Sequence, residues 1–381
     1  MMKNSSINLN DLFKLPWSKH NNPIGWIEAT TYCQLACPGC YRGLAFPNPK
    51  RIHEDIKKLK ADIDKLIEIR NVKVLLIAGG EPLLYPKLDE VISYAVSREL
   101  KVCLVTNGAA LTEKRLQELE KLGVSEIMVH LAQYQKRTNY TNELQMNKLR
   151  DYYCDMFRKN KGINLGFIIT LSKRNADQIK TLTNYYQKNS DIIHRTYFTL
   201  YRDIFFKKPQ EEDTSDYLDP NVLINTIRKS YNIEPCAYLS KTLDQNQPAW
   251  VLFAPIFVGE KTIGFADAKT ARKLNENSNP KVWNAFPVGA NIIQLFRSIS
   301  YISFPTAKRV VIGYIREALR NPKNILKFPK VQIIVIINTP DMTREGWSIC
   351  DGCPHAILYE GKLVPSCLLE RVKLGEKISL A

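Results

Sequence analysis

Three cysteines near the N-terminus have the spacing of metal ligands. Cys33, Cys37 and Cys40 form a C-x3-C-x2-C pattern directly after the strand-like run Ile24–Thr30. Iron–sulfur clusters are usually held by four thiolates, so three on one short loop would leave one iron able to bind another ligand. Closely spaced cysteines also bind zinc or pack as small apolar residues. The pattern alone therefore indicates a metal site and leaves its metal open.

Two further motifs follow the next two strand-like runs. Gly79-Gly80-Glu81-Pro82 ends the run 72–78, and Thr106-Asn107-Gly108 ends the run 101–105. A cysteine loop, GGEP and TNG in this order and spacing resemble the radical S-adenosylmethionine (radical SAM) enzyme superfamily. The resemblance covers residues 24–200, about half of the chain.

The resemblance implies two cofactors and a reaction. Cys33, Cys37 and Cys40 would bind a [4Fe–4S] cluster, and S-adenosylmethionine (SAM) would chelate the fourth iron. One electron from the reduced cluster would split SAM reductively, and the 5′-deoxyadenosyl radical would abstract a substrate hydrogen. A low-potential electron donor such as flavodoxin or ferredoxin is implied as a partner.

Seven residues are expected to contact SAM if the resemblance holds. The two glycines would let the backbone approach the methionine moiety, because a side chain would block it. The glutamate would lie near the ammonium group, and the polar TNG side chains near the carboxylate or ribose. Tyr41 follows the last cysteine, whereas members of the family more often carry an aromatic residue just before that cysteine. These residues are Tyr41, Gly79, Gly80, Glu81, Pro82, Thr106 and Asn107.

The elements that would position these motifs alternate in type along the chain. Six β-rich runs between residues 24 and 200 are separated by amphipathic stretches with apolar residues at three- and four-residue steps. Such alternation predicts an α/β fold with a parallel sheet, whose functional loops follow the carboxyl ends of the strands. The family resemblance implies a partial (β/α)6 TIM-like barrel with a C-terminal cysteine-containing α+β extension.

The remaining chain is divided by composition and motifs. Residues 1–23 are an N-terminal extension, residues 24–200 the core barrel, and residues 201–340 a bridging or accessory region. Charge, Asn, Pro and Gln in 201–290 predict loops or a bridging segment. Residues 341–381 form the last region, which contains a second cysteine group.

The second cysteine group surrounds a predicted hairpin. Glu360-Gly361-Lys362 separates two short β-rich runs, so folding would bring Cys367 back towards Cys350 and Cys353. This resembles the SPASM/twitch subgroup and implies a second, auxiliary [4Fe–4S] cluster, although the chain has one residue more after the glycine than the usual pattern. Cys236 or His355 would complete the ligand set, or an open iron would bind substrate. Tetrahedral zinc on the three cysteines and His355, or no metal, stay alternatives.

Composition limits the class of protein. An apolar content of 45% and a charged content of 24% are ordinary for a globular chain of 381 residues, which excludes extensive disorder. Neither a secretory signal nor an apolar run long enough to span a bilayer is recognisable, so a cytoplasmic location is expected. A net charge of +16 raises the question of an anionic partner, but no nucleic-acid motif accompanies it.

A basic, apolar stretch precedes the second cysteine group. Between residues 306 and 320, Val311, Tyr314, Ile315, Ala318 and Leu319 fall on one helical face, and residues 308–330 carry seven Lys or Arg against one Glu. We expect the ordinary arrangement, with that face packed in the core. A peripheral contact with an anionic membrane is the alternative.

The sequence thus predicts a radical SAM enzyme that acts on a small metabolite or a lipid. SPASM/twitch-type peptide or protein modification is an alternative, but no leader-binding module is recognisable in residues 1–23. A non-catalytic iron–sulfur protein for electron transfer or sensing is the alternative from another class, and it leaves GGEP and TNG with turn roles alone.

Overall fold

The first half of the chain alternates strands and helices. The computed structural model describes residues 7–44, 49–206, 211–277, 301–324 and 326–380. The strands of this half are β1 (Phe13–Lys14), β2 (Ile24–Thr30), β3 (Val74–Gly79), β4 (Lys101–Thr106), β5 (Val124–His130), β6 (Asn164–Leu171) and β7 (Ile193–Leu200). The helices that separate the strands from β2 onward are α1 (Ile56–Arg70), α2 (Leu88–Ser97), α3 (Glu113–Lys121), α4 (Asn147–Lys159) and α5 (Ile179–Lys188).

Strands β2 to β7 form a parallel sheet in chain order. Each of the five neighbouring pairs is parallel, from β2 with β3 to β6 with β7. The strands are largely apolar and buried, as expected when helices cover a parallel sheet. The predicted α/β fold with a partial (β/α)6 barrel is confirmed, and the ends of β2, β3 and β4 carry the three motifs.

Local caps set where the helices begin and end. Helix α1 starts at Ile56, where the Asp55 carboxylate accepts hydrogen bonds from the backbone N–H groups of Lys57 and Lys58. It ends at Asn71, which adopts the left-handed conformation with φ 56°.

The second half adds further helices and strands. The helices are α6 (Pro220–Tyr231), α7 (Ala268–Asn277), α8 (Phe304–Arg320) and α9 (Leu369–Lys373). The strands are β8 (Ala237–Ser240), β9 (Pro248–Phe253), β10 (Pro255–Val258), β11 (Lys261–Phe265), β12 (Lys330–Val331), β13 (Ile333–Ile337), β14 (Asp341–Thr343), β15 (Gly346–Ser348), β16 (Ala356–Tyr359) and β17 (Lys362–Pro365).

The expectation of loops in residues 201–290 was wrong for its described part. β13 pairs in parallel with β7 and antiparallel with β9. β9 then pairs antiparallel with β8, and β8 pairs in parallel with β1. The result is a ten-stranded sheet. The apolar run 249–258 supplies two strands, because its aromatic and β-branched residues suit a buried sheet better than a loop. The accessory region therefore shares a sheet with the core barrel.

The expected packing of α8 was wrong for most of the predicted face, although Tyr314 packs against the buried cluster of Ile256, Val258 and Ile263. More than half of the surface is exposed, within the described part of the chain, for three residues of that face: Val311, Ile315 and Leu319. The helix contacts β11 through Gly313 instead, where an added Cβ would meet the Ile263 carbonyl oxygen at 1.9 Å. This close approach turns the apolar face of α8 away from the sheet.

Within the described ranges, every helix is too short or too polar to span a bilayer.

Candidate active site between two cysteine groups

The first cysteine group lies on a tightly turned loop after β2. The backbone N–H of Cys40 donates to the Cys37 carbonyl at 3.1 Å, and that of Gly43 donates to the Cys40 carbonyl at 2.8 Å. Gly39 has φ +72°, and an added Cβ would meet the Tyr201 ring at 2.5 Å. Cys33 is buried and the other two cysteines are half-buried. Successive turns thus hold the three thiols on one short segment.

The GGEP segment packs directly against this loop. The backbone N–H of Gly80 donates to the Thr30 carbonyl at 2.7 Å, and that of Glu81 donates to the Tyr32 carbonyl at 2.7 Å. An added Cβ at Gly79 would meet the Thr30 oxygen at 2.4 Å, and one at Gly80 would meet the Tyr32 oxygen at 2.4 Å. Both glycines are therefore required by the backbone they contact, whether or not a ligand is bound.

The carboxylate of Glu81 joins the second motif to the third. It accepts hydrogen bonds from the Thr106 hydroxyl at 2.6 Å, the Asn107 backbone N–H at 2.7 Å and the Leu83 backbone N–H at 3.0 Å. Burial raises the pKa of Glu81, and these donors lower it in part. Its side chain is fully buried and does not line the cavity described below, and neither does Pro82, which begins a 3-10 turn.

The TNG segment contacts the first cysteine of the loop. The Asn107 side-chain amide lies 3.5 Å from the Cys33 sulfur and also donates to Gln34 at 3.3 Å. The Arg137 guanidinium donates to the Asn107 carbonyl. A chain of hydrogen bonds therefore connects all three predicted motifs around the cysteine loop.

A buried charge cluster connects the end of the cysteine loop to the C-terminal region. Arg42 forms ion pairs with Glu28 at 2.8 Å and with Glu370 on α9 at 2.6 Å. The Tyr41 hydroxyl donates to Glu28 at 3.3 Å, while its ring packs on the core and reaches the cavity. Burial raises the pKa of Tyr41 well above its usual range, so the phenol stays neutral.

Both cysteine groups line the same cavity. It has a volume of about 280 Å³ and lies at the carboxyl ends of the barrel strands. Besides Tyr41, the residues expected to contact SAM that line the cavity are Gly79, Gly80, Thr106 and Asn107. The six cysteines that line it are Cys33, Cys37, Cys40, Cys350, Cys353 and Cys367.

The predicted C-terminal hairpin is confirmed. β16 and β17 are antiparallel, with Tyr359 opposite Lys362, and the two turn residues Glu360 and Gly361 have φ values of 47° and 75°. Positive φ at both positions is typical of a type I′ turn. The Ser366 backbone N–H donates to the His355 carbonyl at 3.0 Å, so the hairpin brings its two ends together.

The turn that carries Cys350 and Cys353 is fixed to the first barrel helix. The buried Arg70 guanidinium donates to the Gly352 carbonyl at 3.0 Å and to the Cys353 carbonyl at 2.8 Å. The Asn22 amide donates to Gly352 at 2.7 Å. The extension is thus held against the barrel by buried polar contacts as well as by packing.

The environment of the thiols suits metal-bound rather than free thiolates. Burial raises the pKa of Cys37 to about 12 and raises the pKa of Cys33, Cys40 and Cys367. The contact with Cys353, together with burial, raises the pKa of Cys350, and Lys241 lowers it in part. Bound iron would supply the positive charge that converts such thiols to thiolates.

The donor set fits iron–sulfur clusters. Soft sulfur ligands that line one cavity are the type that such clusters require. In the part of the chain that the structure describes, no three His, Cys, Asp or Glu side chains converge closely enough to hold a single metal ion.

The sequence interpretation missed several residues at the site. Trp250 on β9 and Lys241 after β8 lie beside the second cysteine group, in a region expected to be loop. The apolar run around Trp250 was the available signal. For Arg42 there was no signal, because its two partners lie 14 residues before it and near the chain end.

Side chains at the ends of β5 and β6 also reach the cavity. His130 lines the cavity and contacts the Thr170 hydroxyl at 3.1 Å, and burial lowers its pKa to about 4. Gln133 does not line the cavity, and its backbone N–H donates to Glu143 at 2.5 Å. Ile168, at the end of β6, lines the cavity.

Comparison with known proteins identifies relatives of the barrel. The Radical SAM superfamily model matches residues 27–185. Fe-coproporphyrin III synthase of Methanosarcina barkeri is 26% identical over 176 residues, covering 44% of this chain and 42% of that protein. PqqA peptide cyclase of Granulibacter bethesdensis is 30% identical over 113 residues, covering 28% of each. The chain therefore spans less than half the length of these curated relatives.

Solved structures resemble the chain more distantly. SuiB of Streptococcus suis bound to S-adenosylmethionine is 18% identical, with a TM-score of 0.39, over 51% of this chain and 44% of that one. A likeness at this level carries no argument about substrate.

Proposed function

We propose that this chain is a radical SAM enzyme, as the superfamily model matching residues 27–185 indicates, and that it cleaves SAM reductively at the cavity between its two cysteine groups. The observation that carries the proposal is the meeting of the cysteine loop, GGEP and TNG at one end of the cavity. The family implies a [4Fe–4S] cluster and SAM as cofactors. When bound, they would supply a one-electron cleavage and a carbon radical that takes a hydrogen atom from the substrate.

The residues of the chain would bind and orient the cofactors, and they would exclude water. Cys33, Cys37 and Cys40 would hold the cluster, and Asn107 would orient the first of them through its amide. Glu81 acts as a positioning residue, because its carboxylate is occupied by three protein donors. The mostly apolar wall of the cavity would limit the access of water to a reactive radical.

Cys350, Cys353 and Cys367 would hold an auxiliary [4Fe–4S] cluster at the other end of the cavity. Supporting this, all three thiols line the cavity, the buried Arg70 guanidinium lies beside Cys353, and Lys241, ion-paired with Asp341, lies beside Cys350. A net negative cluster is stabilised by such cations in a medium of low dielectric constant.

Metal analysis with a turnover assay tests this assignment. The full chain, reconstituted anaerobically, is expected to bind about eight irons and eight sulfides, for two cubane clusters. Dithionite and SAM should then release 5′-deoxyadenosine. Iron without 5′-deoxyadenosine would favour the electron-transfer or sensor alternative. About four irons and one zinc per chain would indicate that the C-terminal cysteines hold zinc instead of an auxiliary cluster.

The substrate is proposed to be a small metabolite or a lipid, of which one portion enters the cavity. The substrate would share the cavity with SAM, whose expected contact residues line one end of it. Aromatic and apolar side chains such as Trp26, Ile168 and Tyr197 favour an apolar portion. A peptide side chain is the alternative, and PqqA peptide cyclase is a relative. Stimulation of 5′-deoxyadenosine release by a lipid extract, and not by a peptide fraction, would separate the two classes.

A peripheral contact of α8 with an anionic membrane surface is also proposed. The exposed apolar side chains Val311, Ile312, Ile315 and Leu319 share one face, with Leu326 and Phe328 exposed beyond the helix. Residues 308–330 carry seven Lys or Arg and one Glu, and that Glu317 is buried against Asn324. An apolar face flanked by basic side chains matches a surface of anionic lipid.

Vesicle sedimentation tests the membrane contact. We expect binding to vesicles that contain phosphatidylglycerol, little binding to phosphatidylcholine alone, and release at high salt. Ile315→Asp with Leu319→Asp should weaken binding at least about tenfold, because each loses apolar burial and adds repulsion. Val222→Asp, at an exposed apolar position of α6, is the matched control. Equal binding to both vesicle types would contradict the proposal. A dimer of the unaltered chain that becomes a monomer in the double variant would also contradict it.

A further inference from the structure

The second cysteine group has three thiols, and two residues compete to complete it. Cys236 is fully buried, but its thiol donates to the Leu252 carbonyl at 3.4 Å and does not line the cavity. His355 follows Cys353 by two residues and does line the cavity. The position of these side chains therefore favours the histidine.

The His355 ring carries a nitrogen that the protein leaves unused. Its Nε2 atom is buried and has no hydrogen-bond partner among the described residues. A buried polar atom without a partner costs about 1–3 kcal/mol, which a native protein normally avoids by pairing it. A ligand for Nε2 is therefore expected inside the cavity.

Three aromatic side chains fix the orientation of this ring. Trp26 packs against it at a centroid distance of 4.4 Å, Trp250 meets it edge-on at 5.1 Å, and Tyr197 lies at 6.5 Å. Their packing limits ring rotation, so the unused nitrogen keeps one direction. Metal sites are typically built from side chains held in this way by their surroundings.

We propose that His355 binds the metal centre of Cys350, Cys353 and Cys367 through Nε2, which makes it a three-cysteine, one-histidine site. This rests on the proposed function in one respect, that these cysteines hold an iron–sulfur cluster. Imidazole is an established iron ligand in other iron–sulfur centres. With four protein ligands, the auxiliary cluster has no open iron, so the substrate would bind elsewhere in the cavity.

Pulsed electron paramagnetic resonance on the reduced cluster tests the ligand directly. The full chain with Cys33, Cys37 and Cys40 replaced by alanine leaves only the C-terminal cluster to be observed. We expect a ¹⁴N hyperfine coupling of a directly bound imidazole, which changes to ¹⁵N when the histidines are labelled. His355→Cys should keep about four irons per chain, since a fourth thiolate replaces the imidazole, and should lose the nitrogen coupling.

The controls separate this inference from the proposed function. His194→Gln alters another largely buried histidine, which is outside the cavity lining, and should leave the coupling intact. About four irons without any nitrogen coupling would overturn the His355 assignment while the auxiliary cluster stands. A chain that binds no iron at the C-terminal cysteines would overturn the auxiliary cluster itself.

Discussion

Cys37→Ala is expected to lower the iron content from about eight to about four atoms per chain and to abolish 5′-deoxyadenosine release. A cubane cluster on three thiolates already lacks one protein ligand, so the loss of a second would leave two. A cluster held by two thiolates is not expected to survive isolation. Iron and sulfide analysis on the reconstituted variant, with chromatography of the SAM cleavage products, measures both effects.

Cys37 is the most informative of the three cysteines to replace. The Cys33 sulfur also accepts hydrogen bonds from the Leu35 backbone and the Asn107 amide, so its loss would disturb the loop as well as the cluster. Cys154→Ala is the matched control, because that thiol is buried on α4 near the Tyr185 hydroxyl at 3.9 Å and outside the cavity lining. A Cys37 variant that keeps its iron and still cleaves SAM would contradict the cluster assignment.

The barrel and its motifs could be predicted because their signals are local. Each motif follows a strand, and parallel strands place their carboxyl ends on one rim, so order along the chain sufficed to bring Cys33, Gly80 and Asn107 together. The hairpin after Cys353 was equally local, since Gly361 marked its turn. Neither pattern marked the packing of the hairpin against the barrel, which forms the cavity between the two cysteine groups.

Contacts between distant parts of the chain could not be predicted. Glu81 was expected to meet SAM, but three protein donors occupy its carboxylate, a fact that depends on the backbone path of the next strand end. Arg42 pairs with Glu370 across 328 positions, and Arg70 reaches Gly352 and Cys353 across more than 280. Nothing in residue type or period marks such partners.

The orientation of α8 shows a second limit of sequence periodicity. The hydrophobic stripe correctly predicted a helix but wrongly predicted which face packs inside. Gly313 permits this orientation, because the absence of a Cβ lets the helix backbone approach Ile263 on β11. A glycine in a helix interior was thus the available signal for close packing on the opposite face.

A buried ion pair supports the loop that follows β5. Arg150 on α4 and Glu143 are both fully buried and form an ion pair. The guanidinium also donates to the Leu131 carbonyl at 3.0 Å and to the Glu143 carbonyl at 2.7 Å. Residues 132, 134 and 135 of this loop line the cavity, so the pair holds part of the cavity wall in place.

Arg150→Met is expected to lower the free energy of unfolding by about 3–5 kcal/mol, because it leaves the Glu143 carboxylate buried without its cation. Denaturant unfolding of the full chain measures the loss. Arg158→Met is the matched control on the same helix, because its ion pairs with Asp155 and Asp191 are partly exposed and contribute about 0.2–1 kcal/mol each. Arg150→Met combined with Glu143→Gln should recover much of the loss, since no buried charge remains.

The pH dependence separates an unpaired carboxylate from a simple packing defect. Burial already raises the pKa of Glu143 in the native protein, and removing Arg150 takes away the group that lowers it most. The folded variant then binds a proton more tightly than the unfolded chain, so its stability falls as pH rises from about 4.3 through the raised folded pKa. We therefore expect the deficit of Arg150→Met to be largest above that pKa and to shrink towards pH 5. A deficit that stays constant from pH 5 to 8 would show that lost packing and hydrogen bonds, rather than the buried charge of Glu143, cause it.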